Sequence, residues 1–316
     1  MIIGDVMVDA YLWGKVERIS PEAPIPIVAL RKRENRMGGA ANVAMNILSM
    51  GAKPVLCSVI GTDDKGDQFL GLMKKEKIET YGIQRSQRRI TTTKFRIFGN
   101  NMQMLRVDEE VEHDLSEQDR SDLLERIDKI LSSEKIDGII FQDYNKGVIT
   151  PEVIRFVVEK AAEMKIPVSV DPKKRNFDEF RGVTLFKPNL KELKEGLKLD
   201  FENDNREEII KASQKLLSRL DCKFVLTTLS EHGVLICLSE KEDEKNIYIP
   251  AHLRSVSDVS GAGDTVISVA TLCLAKNRSP YEIAYISNLA GGLVCEEAGV
   301  VPVSKEKLLK EVLALL

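Results

Sequence analysis

At 316 residues the chain can bury a large core, as one big α/β domain or as two smaller ones. Its 46 basic and 49 acidic residues leave a net charge of −3, which argues against a nucleic-acid partner and leaves any phosphate to a few placed side chains. Five cysteines (Cys57, Cys222, Cys237, Cys273, Cys295) without a CxxC pair read as reduced core thiols of a cytoplasmic protein, and three histidines without an HExxH or His/Cys cluster argue against zinc.

Residues 1–9 read as a strand that ends with Asp5 and Asp9 at its carboxyl edge. Over 11–31, alternating and β-branched residues, with Pro21, Pro24 and Pro26 fixing extended backbone, predict a β excursion. Gly38-Gly39 opens a helix over 40–50 that stops at Gly51, where a C-cap is expected, and 55–60 reads as a buried strand. Residues 91–98, a turn at Gly99-Asn100-Asn101 and residues 102–108 predict a hairpin. The segments at about 11–31 and 91–108 are therefore expected to form a small β-sheet lid.

After residue 115 the rhythm changes to strands at 137–142, 167–171, 183–187 and 223–229, alternating with helices at 116–133, 151–164, 189–195 and 204–219. Such alternation predicts an α/β fold, a mostly parallel sheet with helices on both faces. A hairpin-like pair at 233–238 and 246–250 and helices at 264–276, 280–297 and 304–315 complete the chain. Without repeats or a long linker, residues 1–316 are expected to form a single domain. No apolar run reaches the length of a membrane span, and neither a signal peptide nor a membrane partner is expected. Apolar residues alternate along the lid strands (Ile25, Ile27; Phe95, Ile97) in a segment too small for its own core, which predicts a homodimer through the lid.

Chemistry concentrates at Asp258-Val259-Ser260-Gly261-Ala262-Gly263-Asp264-Thr265, a small-residue loop that runs into an apolar, helix-compatible stretch. Unpaired N–H groups at a helix N-terminus, with the helix dipole behind them, make an anion site that phosphate can approach because Gly261 and Gly263 lack Cβ. Asp264 opposes an anion there unless it acts on one. As a general base it would take the proton of a hydroxyl attacking a γ-phosphoryl group. As a helix N-cap it would do no chemistry, and the octapeptide alone leaves both readings open. It is neither a GxxxxGK[ST] loop nor a strand-following GxGxxG.

The GAGDT motif, with GDVMVDAYLWG, RISPEAPIPIV, GGAANVAMNILSMG, LRVDEE, DYNKGVIT, VDPK, KPNLKEL and TLSEHG in order along the chain, resembles the ribokinase-like (PfkB) carbohydrate kinases. Within them it is similar to the branch that phosphorylates D-glycero-β-D-manno-heptose 7-phosphate. The resemblance implies a ribokinase-like doubly wound fold with a β lid, ATP and Mg²⁺ as cofactors, possible use of K⁺, and a cytoplasmic enzyme of ADP-heptose and lipopolysaccharide precursor synthesis. Relatives carry more chain before Met1, so the start is expected to be truncated or misassigned. The HxGH nucleotidyltransferase unit fused in many relatives is not expected here.

Carried onto this sequence, the resemblance makes Asp264 the base, with Gly261, Ala262 and Gly263 supplying the catalytic amides. Asp5 and Asp9 are either turn formers or readers of sugar hydroxyls, the latter role falling to Asp9 by resemblance. Ala10 replaces a basic residue usual in the branch. Gly38, Gly39 and Asn42 are either a turn and cap or the backbone and amide that lie against the sugar. Arg106, on the second lid strand, is the candidate clamp for a terminal phosphate, with Lys173 beside it and Arg36 and Lys146 in reserve. Asn189 and Glu192, one helical turn apart, are either a cap or holders of Mg²⁺ through water. Thr228, Ser230 and Gly233 are expected at the ATP phosphates or ribose, and Asn288, with Gly291 and Gly292, at the adenine. Asp258 and Ser260 are candidates for a monovalent cation. The expected activity is transfer of the ATP γ-phosphoryl group to the anomeric hydroxyl of heptose 7-phosphate. The alternatives are a kinase for another sugar or sugar phosphate, and a non-catalytic sugar-phosphate sensor.

Overall fold

A computed structural model describes residues 1–239, 246–252 and 254–315. In chain order, β1 (Ile2–Gly4) passes at once into β2 (Val6–Ile19), followed by β3 (Pro26–Gly39), α1 (Ala40–Ser49), β4 (Leu56–Gly61), α2 (Asp64–Lys75), β5 (Ile83–Ser86), β6 (Thr93–Gly99) and β7 (Met102–Glu109). The strand–helix rhythm then sets in with α3 (Glu117–Ser133), β8 (Ile139–Gln142), α4 (Pro151–Met164), β9 (Val168–Asp171), β10 (Leu185–Phe186), α5 (Leu190–Leu197), α6 (Arg206–Leu220) and β11 (Phe224–Thr228). The hairpin β12 (Val234–Leu238) and β13 (Asn246–Ile249) precedes α7 (Ala262–Ala275), α8 (Pro280–Cys295) and α9 (Lys305–Leu315).

The main sheet has the order β13-β12-β11-β10-β9-β8-β1-β4-β5. It is parallel from β11 to β5, with an antiparallel hairpin at one edge. The run Ile139-Ile140-Phe141 of β8 is buried and apolar at three successive positions because helices cover both faces. One apolar cluster joins the sheet to α3, α4, α5 and α6; the other joins it to α1, α2, α7, α8 and α9. Helix starts carry their own signals: Thr150 before Pro151, and Ser279 with Glu282 in a capping box before the run of α8.

The lid is a separate four-stranded sheet ordered β3-β2-β6-β7. It is larger than the sequence predicts. The strand expected over 1–9 breaks at Asp5, and residues from Val6 onward belong to the lid, which returns to the main body only at Gly39. Gly39 makes that return at φ 63°, a left-handed conformation open to glycine, and the Ala40 amide donates to the Asp5 carbonyl (2.9 Å). Helix α2 and strand β5 were not foreseen: Gly66 and Gly71 blur the pattern of α2, yet Asp63 caps it and Phe69 and Met73 bury its inner face.

Candidate active site

The carboxyl ends of β1, β8, β9 and β10 open toward the start of α7, and the polar side chains buried there converge on Asp264. Gly261, at φ 82°, turns the loop into α7. The Ala262 amide donates to the Val259 carbonyl (3.3 Å), so it does not serve the anion cradle as expected. Among the described residues the amides of Gly263 and Asp264 have no backbone acceptor, as the first turn of a helix requires. A Cβ on Gly263 would lie 3.6 Å from Lys187 Nζ and 3.7 Å from Asp171 Oδ2, which puts a buried ammonium at the edge of the cradle.

Asp264 is buried and is not a cap, since no side chain caps α7. Its Oδ2 accepts from Asn42 Nδ2 at 2.6 Å, and its Oδ1 from the Tyr144 hydroxyl at 2.9 Å and Gln142 Nε2 at 3.2 Å. Gln142 Nε2 also reaches Asp171 Oδ2 (3.2 Å), which pairs with Lys187 Nζ at 3.1 Å. Burial pushes the Asp264 carboxyl up to about 6 and the Asp171 charge pushes the same way, while the Asn42 and Tyr144 bonds and Lys187 pull it down. At neutral pH the group is therefore a carboxylate of raised basicity, as a general base requires.

Asp9, on the lid side, acts on the Tyr144 phenol. A Cβ on Gly38 would collide with the Asp9 carboxylate, so Gly38 is tied to that close approach. Asp9 pairs with Arg96 of β6, and Tyr11 is flanked by the guanidinium groups of Arg36 (4.9 Å from the ring centroid) and Arg96 (5.4 Å). The strand register places Asp9, Tyr11, Arg36 and Arg96 on one face of the lid.

Several of the expected residues are engaged by partners within the protein. Asp5 is not free to read a sugar: it accepts the amides of Tyr144 (2.9 Å), Lys146 (3.1 Å) and Val148 (3.0 Å). Arg106 shares the inner lid face with Arg96 but stands on the edge strand, 55% exposed and paired with Asp108 (3.0 Å). Lys146 is taken by Glu110 (2.7 Å) and Glu112 (2.8 Å). Lys173 is paired with Glu192, and the charges of Asp171 and Asp143 also act on it. Asn189 and Glu192 form a complete capping box, with bonds of 2.8 and 2.9 Å, so the capping alternative holds locally. Asp258 uses both oxygens on backbone amides, from Ser260 (2.9 Å) and Gly299 (3.2 Å), which draws its carboxyl below the usual range.

Thr228 bridges to Asn189, and Ser230 adopts φ 51°, a left-handed conformation. Gly233, at φ 94°, closes the same turn. A groove of about 770 Å³ runs from Asn189 and Leu190 past Lys194 to Ser230 and His232. Asn288 fastens the Pro250 carbonyl (2.9 Å), while Gly291 and Gly292 ease packing against Val266 and Arg254. Another groove, about 670 Å³, opens at the opposite end of the sheet by Lys165, Thr184 and Arg278 and shares no residue with the Asp264 constellation.

Tyr144, Gln142, Lys187 and Arg96 were missed from sequence. Their only signal was position: Gln142 and Tyr144 at the end of β8, and Lys187 just beyond β10, where ligands gather in such sheets.

Asp5, Asp143 and Asp264 carry a joint consequence for pH. Burial raises all three carboxyls, Asp143 and Asp264 to about 6. For Asp143 and Asp264, folded values above the unfolded value of 3.8 mean that their contribution to stability is complete below that value and is lost as pH rises through about 6; Asp5 acts in the same direction. The melting temperature should therefore rise as pH falls from about 6 to about 5. A monotonic fall over that window would contradict the burial assigned to these acids.

The whole arrangement is that of a phosphoryl-transfer kinase on a doubly wound sheet. The chain is similar to Escherichia coli phosphofructokinase-2 in complex with fructose-6-phosphate (TM-score 0.77, 19% identity, covering 99% of this chain and 97% of that one). It is also similar to Arabidopsis thaliana ribokinase complexed with ribose and ATP (TM-score 0.73, 16% identity, 98% and 96% covered). A family model described as pfkB family carbohydrate kinase matches residues 1–307, and the chain belongs to that family. Among curated proteins it is 38% identical over 314 residues to a protein named Bifunctional protein HldE of Koribacter versatilis, and 38% identical over 308 residues to the one of Helicobacter pylori strain J99. Those matches take in 99% and 98% of this chain but only 63% and 65% of the relatives' length.

Proposed function

We propose that the protein transfers the γ-phosphoryl group of ATP to the anomeric hydroxyl of D-glycero-β-D-manno-heptose 7-phosphate, giving the 1,7-bisphosphate in cytoplasmic ADP-heptose synthesis for lipopolysaccharide. The observation that carries the reading is the buried Asp264 carboxylate beside free helix amides, with the Lys187 ammonium at the same spot. Similarity to the HldE proteins supports the choice of sugar.

Asp264 Oδ2 accepts the proton of the attacking hydroxyl, a position now held by Asn42. The amides of Gly263 and Asp264, with Lys187, face the charge that grows on the transferring group. Asp9, the backbone at Gly38 and Gly39, and Asn42 hold the sugar, and Arg36 and Arg96 hold its terminal phosphate. Thr228, Ser230, Gly233 and Asn288 border the nucleotide. Asn189 and Glu192 fit a hydrated Mg²⁺ rather than a bare one, because the cap and Lys173 already engage them. When bound, Mg²⁺ would neutralise charge on the nucleotide phosphates. For a monovalent cation the chain offers the Asp258 carboxylate and Ser260 hydroxyl next to the cradle, and a related E. coli phosphofructokinase-2 structure was determined with potassium. An ADP-release assay over a panel of sugar phosphates tests the reading. ADP release that no sugar phosphate stimulates would overturn it.

The chain acts, in this reading, as one domain with its lid, and as a homodimer. The lid face opposite Asp9 and Tyr11 aligns Leu12, Ile97 and Leu105 in one register row and Ala10, Phe95 and Val107 in the next, with Ala10 buried and Phe95 under Lys65 of α2. Leu105 and Val107 are 55% and 45% exposed, and Met102 at the hairpin tip is 70% exposed. Sedimentation at micromolar concentration should give a dimer that Leu105→Asp with Val107→Asp converts to monomer. A monomeric wild type under conditions of full activity would contradict the lid contact.

A further inference from the structure

Asp264 receives three donors, and the two on Oδ1 come from β8 and the loop just after it. That loop is fixed from several sides. Asp5 takes its amides at Tyr144, Lys146 and Val148. Asp143 takes the Asn145 amide (2.7 Å) and Asn176 Nδ2 (3.2 Å). The buried Arg89 donates to the carbonyls of His113 (3.2 Å) and Lys146. The side chain this framework delivers to the reacting end of α7 is that of Tyr144, whose ring is partly buried while its hydroxyl points to Asp264.

We propose that Tyr144 is the positioning residue of the base: its hydroxyl, with Gln142 beside it, pins Oδ1 so that Oδ2 faces the acceptor hydroxyl, and it sets the pH above which the base is available. The proposal rests on the kinase reading above. A hydroxyl that donates to a carboxylate favours the charged form, so removing it raises the proton affinity of Asp264. Burial and the charges of Asp264, Asp171 and Asp9 keep the Tyr144 phenol un-ionised well above its usual range, so it donates throughout the working pH. The charged groups facing Asp264 are Asp171 at the end of β9 and Lys187 beyond β10. Helix α1 carries no charged residue, and Glu282 of α8 acts at the far end of α7, on Cys273. None of these moves when Tyr144 loses only its oxygen.

Tyr144→Phe is the test, read in two ways. In carbon-detected NMR of the free protein, with the Asp264 signal assigned by its loss in Asp264→Asn, the carboxyl midpoint should rise by about one pH unit, a tenfold gain in proton affinity. The acid limb of kcat against pH should move up equally, so activity lost at pH 7 returns by about pH 8.5 while KM for ATP stays unchanged. Tyr144 acting only as structural support would lower activity alike at all pH and leave the midpoint in place, and that result overturns the proposal. The NMR midpoint needs no substrate. If the wild type phosphorylates no sugar phosphate, the kinase reading falls, and the midpoint alone still decides whether Tyr144 tunes Asp264.

Discussion

Asp264→Asn is expected to lower kcat by about 10²–10⁴-fold, the range for loss of a general base, with little change in affinity for ATP. The substitution keeps the shape of the side chain and its place in the first turn of α7, so the cradle amides keep their geometry while the proton acceptor is lost. The structure makes the case stronger than the motif does. No side-chain cap is present at α7, so the competing role of Asp264 as a helix cap has no geometric support. Burial and three donors hold a single carboxylate whose proton affinity, at about 6, is matched to neutral pH. A variant with near-wild-type kcat would return the carboxylate to a structural role.

Arg96→Ala should raise KM for the sugar phosphate by about 10–100-fold and leave KM for ATP nearly unchanged, the usual cost of a partly buried charge-assisted contact. With a net charge of −3 the general field does not attract a phosphorylated sugar, so the cations on the inner lid face must do so. Arg96 sits on the inner strand β6, 23% exposed and beside Tyr11 and Asp9; Arg36, on the edge strand β3, is 37% exposed and paired with Glu34, and Arg106, on the other edge strand β7, is 55% exposed and paired with Asp108. Arg106→Ala should therefore change KM less than about threefold, and a larger effect at Arg106 than at Arg96 would reverse the assignment.

What the sequence showed and what it hid divide along physical lines. The alternation after residue 115 was legible because each buried parallel strand and amphipathic helix writes its own pattern. Gly261, Gly263 and Asp264 were legible because the cradle is contiguous. The partners of Asp264 were not: Gln142 and Tyr144 lie 122 and 120 positions away, and Asn42, legible only as a sugar contact, lies 222 positions away. Asp5 misled because nothing near it announces that its acceptors face amides 139 to 143 positions on. Arg106 and Arg96 sit alike on alternating strands, and only the order β3-β2-β6-β7 shows which of the two is at the edge. The break at Asp5 was hidden because Ile2 to Ala10 is buried throughout, so burial alone does not mark where the chain leaves one sheet for another.

The most direct test compares D-glycero-β-D-manno-heptose 7-phosphate with unphosphorylated heptose as acceptors, following the product by phosphorus NMR. The expected result is a new anomeric phosphate on the 7-phosphate, with kcat/KM at least about 100-fold above that for the free sugar, since the arginines of the lid act only on the terminal phosphate. Equal turnover of the free sugar, or a phosphate placed on any hydroxyl other than the anomeric one, would contradict it.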